Sequence, residues 1–151
     1  MSVPGTSSRG FGALAGQSPL LALVFVGGML GAPARYGVEH VLPAAAGGFP
    51  LGTFAVNVVG AFLLGLLLES LILSGPDTGV RNRLRLFLGT GFLGAFTTYS
   101  SFAVQLDRLG RGGHASTAVG YAAVSLAVGL ALVALGIWVA QRARQYRGAG
   151  A

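Results

Sequence analysis

The residues best equipped for chemistry stand together in Gly89–Gln105, GTGFLGAFTTYSSFAVQ. Thr97, Thr98, Ser100 and Ser101 bring four hydroxyls into five residues, just after Gly89, Gly91 and Gly94. Each hydroxyl can donate a hydrogen bond to an anion, or bond back to its own helix and do nothing more. Four in five residues exceed what a helix uses for back-bonding. They lie in a charge-free run, Leu86–Leu106, long enough to cross a bilayer. A plain anchor would carry Leu, Ile and Val there. Each glycine instead weakens a helix by about 1 kcal/mol relative to alanine. Interrupted helices at membrane depth are tolerated where the freed backbone lines a cavity or is buried in protein. In transporters such unwound carbonyls and half-helix ends bind ions. The stretch therefore reads as a broken, ion-handling helix.

Other residues fall into line with that chemistry. Tyr99 and Phe102 are three apart and share a face. They either pack as an ordinary aromatic pair or turn positive ring edges toward a small anion. In PLGTFAVNVVGAFLLG, Pro50–Gly65, the residues Thr53, Asn57, Ala61 and Gly65 recur every four positions. A polar and small stripe on an apolar helix faces another helix or a pore rather than lipid. Asn57 either glues the bundle by an interhelical hydrogen bond or offers its amide N–H to an anion. In GGMLGAPARY, Gly27 and Gly31 form a small-xxx-small pair that lets two helices approach. Arg35 is either an interfacial residue pairing with Glu39 one turn later, or a fixed positive charge that attracts anions.

The elements that carry these residues follow from the composition. Of 151 residues, 53% are hydrophobic and 9% charged, against about 25% charged in a soluble domain. The chain reads as a membrane protein. Apolar runs Pro19–Ala34, Leu51–Leu68, Leu86–Leu106 and Ala115–Ala140 each suit one span, giving four transmembrane helices. Gly75-Pro76-Asp77 marks a loop, and Asp107–Gly113 reads as another. Residues 1–18 read as a disordered tail, 19–141 as the transmembrane domain and 142–151 as a basic tail. A cleaved signal peptide ending at Ala32-Pro33-Ala34 is the competing reading of the first run. It is disfavoured by Gly27, Gly28 and Gly31 inside the apolar stretch. Ser125, Gly129 and Gly136 on the last run read as packing positions.

Several function classes drop out. Without cysteine there is no disulfide or thiolate metal site. His40 and His114 lack ligand-spaced partners. No catalytic triad, phosphate loop or pair of catalytic carboxylates is present, which argues against an enzyme. The ten basic residues are all arginine and cluster at the ends of apolar runs, a topology signal rather than a nucleic-acid patch.

Three blocks in order, GGMLGAPARY, PLGTFAVNVVG and TGFLGAFTTYSSF, resemble the fluoride channel family (Fluc, also called CrcB). The resemblance implies an all-α membrane protein of four transmembrane helices, the third broken near its middle. It implies an antiparallel, inverted dimer with two fluoride pores, in the plasma membrane. A structural sodium ion would be held by the backbone carbonyls of Gly94 and Thr97. Asn57, Ser100, Ser101, Tyr99, Phe102 and Arg35 would serve the fluoride pathway. Three positions depart from the family pattern. Tyr99 stands for a usual Phe, Ala95 for a second Gly, and Gln105 for a common glutamate. Two rival readings remain open on residues alone. A small four-span multidrug transporter would need a membrane-embedded acid, and only Glu39 and Glu69, at span ends, are available. A non-conducting membrane subunit would need only the small-xxx-small contacts.

Arginine placement adds an expectation. With four spans, both termini and the loop between the second and third spans share one side. That side holds Arg9, Arg81, Arg83, Arg85, Arg142, Arg144 and Arg147, against Arg108 and Arg111 opposite. Such bias sets orientation. It predicts insertion one way, with both termini cytoplasmic, and an inverted partner chain in place of a homodimer.

Overall fold

The computed structural model describes residues 9–149, with side chains over residues 19–146. Helix α1 runs Arg9–Val41 and α2 runs Leu51–Leu73. Then α3 (Gly79–Leu84) passes directly into a π-helical stretch, Arg85–Leu93, and a last turn, α4 (Gly94–Phe96). Two extended residues follow, and α5 (Tyr99–Arg111) and α6 (Ala115–Ala149) complete the chain. Three helical stretches are long and apolar enough to cross a membrane unbroken: Pro19–Val41, Leu51–Leu73 and Ala115–Tyr146. The remaining crossing is the split one, from Arg85 to Arg111. The four-span layout with a broken third helix is thus realised. Of the expected tail, residues 1–8 lie outside the described residues, and 9–18 form the first turns of the α1 backbone.

Glycine sets the two tightest helix crossings. A Cβ on Gly27 or Gly31 would run into the carbonyl oxygens of Phe87 and Phe92, and one on Gly91 into Val24. Here α1 lies directly on the π-helical backbone, the approach expected of the small-xxx-small pair. A Cβ on Gly65 would meet the Val133 carbonyl of α6, and one on Gly136 the Phe62 carbonyl of α2. Each helix exposes a bare backbone patch to the other, so α2 and α6 form the most extensive pairing in the bundle.

Val56, Leu93 and Phe96 form a small buried core, with Val38, Leu64 and Phe92 packed around it. Much of the apolar surface faces outward instead, including Phe25, Leu30, Leu126 and Leu130. In water such a surface is an aggregation liability; in lipid it is the normal exterior of a span.

The loops follow their glycines. Positive φ at Gly47, Gly75, Gly79 and Gly113 lets the chain reverse there. Arg81 and Arg85 close the second loop, donating to the Pro76 carbonyl and pairing with Asp77 at 2.7 Å. One expected loop shrinks. Residues 107–111 remain helical in α5, where Arg111 pairs with Asp107 one turn back at 2.8 Å. The reversal is left to Gly112 and Gly113.

Candidate functional site

The break falls at two β-branched residues. Thr97 (φ −81°, ψ 159°) and Thr98 (φ −150°, ψ 124°) are extended. A helix interrupted there leaves N–H groups on one side and carbonyls on the other without partners. The Thr98 peptide is satisfied from α2. Asn57 Nδ2 donates to the Thr98 carbonyl at 3.0 Å, and the Thr98 N–H donates to Asn57 Oδ1 at 2.8 Å. Gly60, one turn further along α2, lies against the Thr97 methyl, where a Cβ would not fit. Thr98 also caps α5: its Oγ1 accepts from the Ser101 N–H at 3.1 Å. An N-cap of this kind contributes about 1 kcal/mol.

Carbonyls on the other side stay open. Thr97 N–H and Oγ1 both donate to the Leu93 carbonyl, at 2.9 Å each. Among the described residues, no loop, turn or cap hydrogen bond and no side-chain hydrogen bond ends on the carbonyl oxygen of Gly94, Ala95, Phe96 or Thr97. The break therefore presents two opposite polarities. The carbonyl end of α4 suits a cation and the N-terminal end of α5 suits an anion. No group of three or more His, Cys, Asp or Glu side chains able to hold a metal occurs among the described residues. A cation at the break would meet backbone carbonyls and hydroxyls rather than a cluster of acidic or imidazole side chains.

The predicted hydroxyl track is partly assembled. Ser100 Oγ lies 3.2 Å from Thr98 Oγ1 and is exposed. Ser101 lines a small cleft of about 130 Å³ together with Glu39, Thr53, Gly52 and Gln105. Tyr99 and Phe102 stand as an adjacent pair, ring centres 6.2 Å apart. Tyr99 is 82% exposed, so its hydroxyl needs no internal partner. Phe102 packs at 5.1 Å on Tyr121 of α6, which in turn meets Phe49 edge-on at 5.2 Å.

Two expectations are corrected. Arg35 does not pair with Glu39 among the described residues; Glu39 instead accepts a hydrogen bond from the Thr53 hydroxyl at 3.1 Å. Arg35 is half-buried and is not among the residues that line the Ser101 cleft. The α2 stripe also splits. Thr53 and Asn57 face α1 and the break, whereas Gly65 faces α6. Four-residue spacing overshoots the 3.6-residue turn, so three steps rotate a stripe by about 120°.

Tyr121 and Ser125 were not anticipated as polar groups of the site. Both hydroxyls are buried with no hydrogen-bond partner. Unpartnered buried hydroxyls are uncommon and call for an explanation. One turn apart on α6, they lie on one side of it, with Tyr121 against Phe102. The sequence carries that signal, a Tyr and a Ser four apart on an otherwise aliphatic helix. A single polar residue there is equally compatible with packing.

Comparison with known proteins agrees with this layout. Residues 22–137 match the family model described as CrcB-like protein, Camphor Resistance (CrcB). A protein of Leifsonia xyli named fluoride-specific ion channel FluC 2 is 50% identical over 82% of this chain and 83% of its own. FluC 1 of Cutibacterium acnes is 46% identical over 75% of this chain and 79% of its own. FluC 2 of Streptomyces avermitilis is 43% identical over 74% and 68%.

Proposed function

Since the chain belongs to the CrcB-like family, we propose that it is a subunit of a fluoride-selective ion channel, a multi-pass membrane protein and not an enzyme. The relatives' names point to this function. The observation that carries it to particular residues is the break itself, where an extended Thr97-Thr98 is pinned by Asn57 beside a set of hydroxyls. Fluoride is small and strongly hydrated, so a path must offer donors in place of water. The second Nδ2 hydrogen of Asn57, the Ser100 and Ser101 hydroxyls, and the unpartnered Tyr121 and Ser125 hydroxyls are such donors. The ring edge of Phe102 adds a weaker one. Passive efflux suffices to lower toxicity: HF crosses membranes neutral, dissociates inside, and the trapped anion needs only an exit. Vesicles holding the assembled channel, this chain with its inverted partner, should release fluoride quickly.

We also propose a structural sodium ion at the break. Carbonyls of Gly94 and Thr97 carry no competing loop, turn, cap or side-chain hydrogen bond among the described residues, and unpaired backbone oxygens are the donor set such an ion takes. When bound, sodium neutralises the carbonyl end of α4. An inverted second subunit would bring the same carbonyls to the other side of the ion. Replacing sodium by an organic cation too large for the site is expected to lower the thermal stability of the assembly and slow efflux. Unchanged values would remove sodium from the account.

The partner in that dimer is proposed to be a different chain. Arg81, Arg83, Arg142 and Arg144 lie at one end of the bundle, and Arg108 and Arg111 at the other. That bias favours one orientation, with both termini cytoplasmic. FluC 2 and FluC 3 of Streptomyces avermitilis are consistent with more than one such chain in a cell. A cysteine placed in the C-terminal tail should react with an impermeant thiol reagent only after cells are opened. Labelling of half the molecules in intact cells would show dual orientation and a homodimer.

A further inference from the structure

The end of the bundle opposite the chain termini holds a carboxylate that the donor path does not need. Glu39, half-buried near the end of α1, lines the same cleft as Ser101, Thr53 and Gln105. No other lining residue of that cleft is charged. Its Oε1 accepts the Thr53 hydroxyl at 3.1 Å, and Thr53 is itself 4% exposed. The carboxylate is held in place from below, since Gly52 packs against the Glu39 backbone where a Cβ would not fit. Thr53 is one turn of α2 before Asn57, and Ser101 is the residue capped by Thr98. The cleft therefore opens onto the hydroxyls at the break.

We infer that Glu39 meters anion passage at this mouth of the path: ionised, it obstructs fluoride, and protonated, it helps conduct it. Two effects act together, and both rest on the channel reading above. An ionised carboxylate repels an arriving anion, strongly where walls of low dielectric focus the field. It also engages the Thr53 hydroxyl proton, so that this donor is turned away from fluoride. Protonation removes the repulsion, releases Thr53 and makes Glu39 a donor in its own right. The sign follows: conduction rises as pH falls at this mouth. Acid at the outer face is the condition that drives HF inward, so the device would open the exit when the load is greatest.

Few charged groups face Glu39 to override it. The loop 42–50 has no titratable residue, and α2 offers only Thr53 and Gly52 there. From α5, Gln105 is neutral, while Arg108 lines the adjoining cavity beside Ala44–Gly48. From α6, the titratable side chain on this side is Tyr121, whose ring packs on Phe102 and Phe49. His114 packs on Gly47. On α1 itself, Arg35 is one turn back and His40 is stacked on Tyr36.

Fluoride current across planar bilayers is the suitable readout, because neutral HF carries none. Wild-type current is expected to rise about tenfold as this mouth is acidified, a change of about 1.4 kcal/mol in barrier. Glu39→Gln keeps an acceptor for Thr53 without the charge, and should give a large current that no longer responds to pH. A flat wild-type profile, or a Glu39→Gln channel that still follows pH, would overturn the role of Glu39 and leave the channel intact. Absence of fluoride current at every pH, from this chain alone and with its inverted partner, would instead overturn the channel reading, and this inference with it.

Discussion

Asn57→Leu should abolish fluoride efflux and loosen the bundle at the same time. The leucine fills the volume but leaves the Thr98 N–H and carbonyl without the two bonds of 2.8 and 3.0 Å that hold them. Leaving a buried backbone group unsatisfied costs about 1–3 kcal/mol, so the pair is worth about 2–6 kcal/mol. The extended Thr97-Thr98 conformation then loses its only side-chain clamp from α2, and the hydroxyls that hang from it lose their register. Efflux should fall by more than about a hundredfold, equivalent to about 2.7 kcal/mol of barrier. Asn57→Asp separates the two roles. It keeps an acceptor for the Thr98 N–H, loses the donor, and places a negative charge beside the path. It should assemble better than Asn57→Leu and still fail to conduct. Thermal unfolding in detergent and efflux from vesicles, read on both variants, provide the check. Normal efflux from Asn57→Leu would show that the residue only glues helices, as a non-conducting subunit requires.

Phe102→Leu is expected to have the second largest effect, and it tests a different property. Phe102 sits between the exposed Tyr99 ring and the buried Tyr121 ring. Leucine approximates its bulk, so packing against α6 should suffer by no more than about 1.5 kcal/mol. What leucine lacks is the positive ring edge that can face an anion. Efflux should drop at least about tenfold, about 1.4 kcal/mol of barrier, while the protein elutes and melts much as before. Tyr99→Phe is the internal control, because the Tyr99 hydroxyl points to solvent or to a partner and makes no described bond inside this chain. It should leave efflux within about twofold. If Phe102→Leu conducts normally, the ring edge is not part of the path and Phe102 is a packing residue.

How much of this was legible before the structure varies with the distance over which each feature is determined. The break was legible because its cause is local: glycines, then adjacent β-branched threonines, in a run that must otherwise be helical. The small-xxx-small pair at Gly27 and Gly31 was legible for the same reason. Asn57 was singled out by residue type, yet its partner was not, since the Thr98 peptide is 41 residues away and comes to it only in the packed bundle. The Arg35–Glu39 pair that helical spacing allows is not made in the fold, where Glu39 meets the Thr53 hydroxyl of another helix, 14 residues on. Tyr121 and Ser125 were passed over because their meaning depends on where α6 is placed against α5. The π-helical stretch at Arg85–Leu93 leaves no distinct mark in the pattern, since its residues would serve an α-helix equally well.

Fluoride and chloride release from the same vesicles, measured with ion-selective electrodes on the purified chain alone and with its proposed inverted partner, tests the central claim most directly. The account predicts fast fluoride release with chloride retained, from at least one of the two preparations. Equal release of both ions, or no release from either preparation while the protein remains folded, would contradict it.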